Sequence, residues 1–311
     1  MEKNIPCDLC GGVVTAPYLG LVRHSPFALV KCLSCGLVFL DPRPDPSEIK
    51  SYYSPFYYTS CPPEPADNGM RTRLKKLAYA GRCSDPTQWH RTAKIVMPIA
   101  RSLIGWRAYR RVPPRTKGNL LDVGCGTGEQ AAWLRDNLLN WEVEGVEINS
   151  HAAQIAESLF NLKVYQGHLP DLNLPPEKYD MVSFWHSLEH TYSPNATLKE
   201  TFRLLRRGGW VGIEVPNICS WEARQTKEHW YHLAIPVHLY HFSVITLSAL
   251  LKQNGFTPIS VEKVRGRAGL DNWIEHNRAN YSWTQGIAVK AGVQTLGRFS
   301  PWGIRIYAAK V

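Results

Sequence analysis

Asn119-Leu120-Leu121-Asp122-Val123-Gly124-Cys125-Gly126-Thr127-Gly128-Glu129 is the stretch whose reading decides the fold. A short apolar strand runs into a glycine-rich turn, and a helical segment follows. Glycines at such a turn permit positive φ and a close approach of backbone to a ligand. The helix start presents unpaired N–H groups and the positive end of its dipole, which suits a carboxylate or phosphate. Glu147 closes the next strand-like run, residues 141–146, and stands 23 residues after Gly124. An acid at that place accepts hydrogen bonds from ribose hydroxyls.

Outward from this stretch the chain alternates strand and helix. Strands are expected at 119–123, 142–146, 163–166, 179–185 and 210–215, with helices at 130–137, 150–159, 195–205 and 243–254. The runs 260–264 and 304–310 read as a closing pair of strands. Arg206-Arg207-Gly208-Gly209 reads as a helix-ending turn. Such alternation implies an α/β fold with a mostly parallel sheet and its site at the strand C-termini.

The cysteines divide into two sets. Cys7, Cys10, Cys32 and Cys35 form two C-x2-C pairs, and Gly11 and Gly36 follow the second cysteine of each. Four thiolates at this spacing suit a tetrahedral, structural Zn2+ site. Residues 1–45 therefore read as a zinc ribbon, with strand-like runs at 27–32 and 37–40. Cys61, Cys83, Cys125 and Cys219 have no partner spacing and read as ordinary thiols.

The net charge of +10 is concentrated. Residues 71–117 hold 13 Lys and Arg against the single acid Asp85, a local excess of +12, so the rest of the chain carries −2. Within 46–117 a tyrosine cluster (Tyr52, Tyr53, Tyr57, Tyr58) and a polar linker precede one or two basic amphipathic helices. A solvated cationic face is one reading of those helices. Contact with an anionic membrane surface or an anionic substrate is the sharper one. No apolar run spans a bilayer and no signal-peptide core opens the chain, so a cytoplasmic protein with reduced thiols is expected.

The glycine spacing separates two cofactor classes. A dinucleotide fingerprint reads G-x-G-x-x-G. Here the third glycine comes one residue early, and Asp122 precedes the loop. This D-x-G-x-G-x-G form resembles the cofactor loop of class I S-adenosylmethionine-dependent methyltransferases. Tyr179-Asp180-Met181-Val182, Leu204-Leu205-Arg206-Arg207-Gly208-Gly209 and Glu214-Val215-Pro216-Asn217 resemble that family's fourth- and fifth-strand motifs. Cys35-Gly36-Leu37-Val38-Phe39, Asp41-Pro42-Arg43-Pro44 and the Tyr52-Tyr53 pair are similar to a bacterial subfamily with a zinc ribbon fused to the methyltransferase. Members of it act on polysaccharides, sugars or secondary metabolites.

The resemblance implies a Rossmann-like seven-stranded sheet over 118–311, its last strand antiparallel. It implies that Asp122, Gly124, Gly126 and Gly128 approach S-adenosyl-L-methionine and that Glu147 holds the ribose. Ile148 and Leu169 would then sandwich the adenine. Many members carry an acid after the third strand. This chain instead has Gly167-His168-Leu169, with Asp171 slightly later.

Histidines crowd two segments that leave strand C-termini: Trp185-His186-Ser187-Leu188-Glu189-His190, and 229–243 with His238 and His241. Methyl transfer to a hydroxyl needs a proton acceptor, and imidazole titrates in the useful range. His190, His238 and His186 are the candidate catalytic residues, with Glu189 orienting a neighbouring imidazole. His-x-x-Glu-His also matches a zinc-protease motif, but that motif belongs on a long helix, not at a strand end. A small RNA 3′-end methyltransferase family holds a divalent metal with Glu and His at similar places. Here the corresponding set would be His186, Glu189, His190 and His238, and a non-metal site is the favoured reading. The expected reaction is O-methylation of a sugar, polysaccharide precursor or small metabolite, with C- or N-methylation second. An RNA methyltransferase using the ribbon and the basic segment is one alternative, though the ribbon is not itself basic. A non-catalytic cofactor-binding scaffold is another.

Overall fold

The computed structural model describes residues 1–21, 26–53, 117–138, 140–265 and 301–311. Residues 54–116, which contain nearly all of the basic segment together with Tyr57 and Tyr58, lie outside them. The chain divides into two compact units. One comprises Met1–Tyr53, His186–Leu198 and Ile213–Ile306, and the other Ser54–Trp185, Lys199–Gly212 and Tyr307–Val311.

The larger sheet has seven strands. Its strands are β4 (Gly118–Val123), β5 (Trp141–Glu147), β6 (Lys163–Gln166), β7 (Tyr179–Trp185), β8 (Leu205–Pro216), β10 (Phe256–Arg265) and β11 (Pro301–Lys310). Their order is β10-β11-β8-β7-β4-β5-β6. β4 runs parallel to β5 and β7, and β5 parallel to β6. The sheet is the expected Rossmann-like one, mostly parallel with an antiparallel last strand. All seven residues of β7 are buried, as befits a central strand covered on both faces.

Helix α1 (Glu129–Asn137) follows the glycine turn, and α2 (Ser150–Phe160) follows β5. Asn149 caps α2 by accepting from His151 N and Ala152 N, and Asn161 ends it in the left-handed region. The buried face of α2 is Ala152, Ala153 and Ala156. Small side chains there let the glycine turn come close. A Cβ on Gly128 would lie 2.6 Å from Ala156 Cβ. Leu120, Leu134, Trp141, Leu162, Met181 and Tyr307 pack in the core of the second unit, each full burial stabilising by about 1.5–3 kcal/mol.

The other unit contains the N-terminal cysteines. Its four-stranded sheet is β1 (Thr15–Leu21), β2 (Ala28–Cys32), β3 (Val38–Leu40) and β9 (Tyr240–His241), in that order, every neighbouring pair antiparallel. Val38 pairs with His241 and Phe39 with Tyr240. Phe39, Leu40, Tyr240 and Phe242 are all buried here. The helices are α3 (Pro194–Leu204), which begins in this unit, α4 (Trp221–Thr226) and α5 (Val244–Gln253). Ser243 and Thr246 form a capping box on α5.

Two features depart from the sequence expectation. The sequence reading places no strand at 15–21, yet β1 forms there, with its register shifting between Pro17 and Gly20. The run Arg206-Arg207-Gly208-Gly209, expected as a turn, is the start of β8, with Arg206 Nη1 donating to Asp180 Oδ2 at 2.8 Å. Among the described residues no helix is long and apolar enough to cross a membrane.

Candidate active site and metal-binding clusters

β4 delivers the glycine turn. Gly124, Gly126 and Gly128 have φ of 76°, 56° and 81°, a region that side chains rarely adopt. A Cβ on Gly126 would meet no atom of the described residues within 4 Å, so among them open space faces that residue. Glu147, at the end of β5, is 3% exposed. Its Oε2 accepts from Gly126 N at 2.9 Å and its Oε1 from Asn149 N at 2.8 Å. Burial raises the pKa of this carboxylate, and the backbone N–H donors of Asn149 and Gly126 oppose the rise.

Asp122 is equally buried and accepts from Ser183 Oγ on β7 at 2.6 Å. Ser183 went unnoticed in the sequence because it lies inside an apolar strand. Ile148 is partly exposed directly after Glu147. Leu169 is buried at the start of a short turn, while His168 and Asp171 beside it are exposed. An open glycine cradle beside a buried acid fits a nucleoside ligand with ribose hydroxyls. Cys125 is packed where a Cβ on Gly145 would touch its Sγ, which explains a buried, ordinary thiol.

Cys7, Cys10, Cys32 and Cys35 come together, each offering a sulfur within 4.8 Å of the others. The Cys7–Cys35 and Cys10–Cys32 sulfurs are 3.4 and 3.5 Å apart. Tetrahedral zinc with bonds of about 2.3 Å separates its sulfurs by about 3.8 Å, so the four residues fit that ion. Each knuckle is closed by a glycine with positive φ: Gly11 N donates to Cys7 O and Gly36 N to Cys32 O.

The histidines gather in the same unit as the cysteines. His186 follows β7 directly and has φ of 58°, in the left-handed region that few residues other than glycine adopt. Its Nε2 lies 3.2 Å from Glu214 Oε1 and its Nδ1 3.6 Å from Glu189 Oε1. Burial disfavours the charged ring, but Glu189 and Glu214 outweigh it and hold its pKa at about 9. His186 is therefore an imidazolium near neutral pH. Its ring stacks on Trp302, as does that of His232. Glu214 is shared with Arg305 through a 2.7 Å bond from Nε. Trp302 and Arg305 were not readable as site residues. Glu214 stood in a quoted motif, but nothing local marked it as a partner of His186.

His190 and His238 are neighbours, their ring centroids 4.6 Å apart. His190 Nδ1 is 3.0 Å from Val237 O, and His238 Nδ1 is 2.9 Å from His232 O. A carbonyl only accepts, so each Nδ1 carries the proton and each Nε2 keeps its lone pair. Tyr53 Oη also lies 3.2 Å from His190 Nδ1. Burial lowers the pKa of both rings. His241, on β9, is turned the other way: its Nε2 faces Leu233 O at 3.1 Å.

Beside the pair, Glu189 is 1% exposed and neither of its oxygens has a hydrogen-bond partner among the described residues. Glu189, His190 and His238 each place one ligand atom within 4.8 Å of the others. The three residues fit a divalent ion: one carboxylate oxygen and two imidazoles whose outer nitrogens are already oriented.

A parallel sheet in this strand order, with a glycine turn after β4 and an acid at the end of β5, defines a nucleoside-cofactor α/β fold of the methyltransferase type. Residues 99–261 match the family model described as Methyltransferase domain, and the chain belongs to that family. It carries an S-adenosylmethionine-dependent methyltransferase domain. It is 26% identical over 203 residues to a probable S-adenosylmethionine-dependent methyltransferase of Mycolicibacterium smegmatis, covering 64% of this chain and 73% of that one. It is 24% identical over 184 residues to the O-methyltransferase cnsE of Penicillium expansum, covering 57% of this chain and 61% of that one. Among solved structures, the Haloferax volcanii methyltransferase in complex with the Trm112 activator superposes with a TM-score of 0.51 at 18% identity. That match covers 64% of this chain and 85% of the other and shows a shared fold.

Proposed function

We propose that this protein O-methylates a hydroxyl of a sugar or other small molecule, with His190 and His238 as the proton-accepting pair. The observation that carries this reading is the hydrogen bonding of the two rings. Each Nδ1–H is held by a backbone carbonyl, so each Nε2 presents a lone pair in a fixed direction. A positioned imidazole takes the proton of an attacking hydroxyl. Bound S-adenosyl-L-methionine supplies an electrophilic methyl group. Asp122, the three glycines, Glu147, Ile148 and Leu169 hold it, and the chain passes from β7 straight into the histidine segment. His186, already protonated, serves as a fixed positive charge rather than a base. The similarity to an O-methyltransferase supports the choice of oxygen. The test is S-adenosylhomocysteine release with a panel of sugar and phenolic hydroxyls. Turnover of amine acceptors alone would replace the reading.

A second reading rests on Glu189. Among the described residues neither Glu189 oxygen accepts a hydrogen bond, and the charged His186 ring reaches only Oε1, at 3.6 Å, so the buried carboxylate has lone pairs open to a second cation. Glu189, His190 and His238 would then hold a divalent metal that lowers the pKa of an acceptor hydroxyl. The test is a chelator series: loss of turnover restored by Mg2+ or Mn2+, with the cysteine-bound ion retained, selects this reading.

Cys7, Cys10, Cys32 and Cys35 hold a structural zinc ion in this proposal. β2, which ends at Cys32, and β3, which follows Cys35, share a sheet with β9, and this supports a scaffold role for the cysteine cluster over that of a free nucleic-acid module.

A further inference from the structure

Asp41-Pro42-Arg43-Pro44 stands out in the sequence, and nothing in the methyltransferase chemistry above requires it. Arg43 contributes the side chain of interest. It is mostly buried, with its side chain 11% exposed. Its Nε donates to Glu2 Oε2 at 2.5 Å, and the backbones of Glu2 and Arg43 bridge each other in both directions. This fixes the base of the side chain.

Nη1 of Arg43 reaches two groups from two loops. It donates to Tyr192 O at 3.0 Å and to Tyr240 Oη at 3.1 Å. Tyr240 Oη in turn donates to Tyr192 O at 3.2 Å, closing a three-membered network. The guanidinium also lies over the Tyr192 ring, 4.9 Å from its centre, and Tyr192 Oη donates to Pro44 O at 3.0 Å. Tyr192 is two residues after His190, and Tyr240 is two residues after His238. One nitrogen atom therefore gathers the two loops that present the histidine pair. A planar guanidinium with several donors can do this, whereas a single ammonium centre cannot match the same fork.

Two further ties run between the same loops and the N-terminal residues. Asp8, inside the first cysteine knuckle, accepts from Ser193 Oγ at 2.8 Å and from Asn195 N at 2.7 Å. Leu40 N donates to Leu239 O, and Leu239 N donates to Glu189 O.

We propose that Arg43 is a positioning residue that sets the mutual geometry of His190 and His238 by joining Tyr192 and Tyr240. The inference rests on the reading that these two histidines act on the acceptor, but its test does not. The experiment uses the full-length protein with 15N-labelled histidine. The side-chain nitrogens of His190 and His238 are recorded by NMR, and calorimetric titration with S-adenosylhomocysteine reports the integrity of the cofactor site.

In the wild type each of the two rings gives separate signals for a protonated Nδ1 and an unprotonated Nε2. Arg43→Ala and Tyr240→Phe are expected to bind S-adenosylhomocysteine as the wild type does, yet to shift those signals toward the tautomer average. Arg43→Lys is expected to restore them only in part. Unchanged His190 and His238 signals in Arg43→Ala overturn the proposal. If that variant does not fold, Tyr240→Phe and Arg43→Lys carry the test, and unchanged signals in both overturn it. Shifted signals with full turnover in His190→Ala and His238→Ala leave Arg43 as a positioning residue and remove the base assignment alone.

Discussion

The cysteine cluster and the Glu189–His190–His238 cluster belong to one compact unit but are assembled by opposite routes. The four sulfurs come from residues 7–35 and are brought together by two short knuckles. The carboxylate and imidazoles come from two loops nearly 50 residues apart, and the two imidazoles are oriented by the carbonyls of Val237 and His232. Four soft donors close a tetrahedron and leave no position for a substrate. Three nitrogen and oxygen donors leave coordination or proton-accepting capacity unused. The first arrangement is suited to holding structure together, the second to meeting a ligand.

The largest effect that sharpens this contrast is expected from Cys32→Ser. Structural zinc in such a site supplies roughly 10–16 kcal/mol of binding free energy that is also folding free energy. The variant should lose its metal and melt far below the wild type in thermal denaturation. A folded wild-type protein without zinc by elemental analysis, its four thiols open to titration, would erase the distinction between the clusters.

His190→Ala and His238→Ala come next. Removing a general base costs about 10²–10⁴-fold in turnover and should leave S-adenosylhomocysteine affinity unchanged. Near-wild-type rates in both variants would make the second cluster as structural as the first.

Glu147→Ala should weaken S-adenosylhomocysteine binding by about 1–3 kcal/mol, the scale of a hydrogen bond to a charged group, without touching either cluster. Calorimetry giving equal affinities would remove Glu147 from the cofactor site.

The smallest effect separates the two readings of the second cluster. If His190 and His238 act without a metal, Glu189→Gln should slow turnover by no more than about tenfold, or roughly 1.4 kcal/mol. A loss as deep as that of the histidine variants, accompanied by lost Mn2+ binding, assigns the cluster to a metal.

The same contrast explains what the sequence made legible. Gly124, Gly126 and Gly128 need positive φ within one turn, and the cysteine pairs need fixed short spacings. Such local requirements leave a direct imprint on residue order. The strand alternation of the sheet is equally local and was read to within a few residues, β8 excepted. The contacts around the histidines are not local. Tyr53 meets His190 across 137 residues and Arg43 meets Tyr192 across 149. No periodicity records those distances. β9 is two residues long, too short for any pattern to announce, and it was missed. Histidine richness marked the two segments whose rings come together, but the tautomer-setting carbonyls belong to residues of no distinctive type.

The pairing of β3 with β9 has a consequence for synthesis on the ribosome. Val38, Phe39 and Leu40 are wholly apolar, and their partner Tyr240–His241 lies about 200 residues downstream. At about 5–20 residues per second, the nascent chain displays that unpaired hydrophobic edge for roughly 10–40 s before its partner emerges.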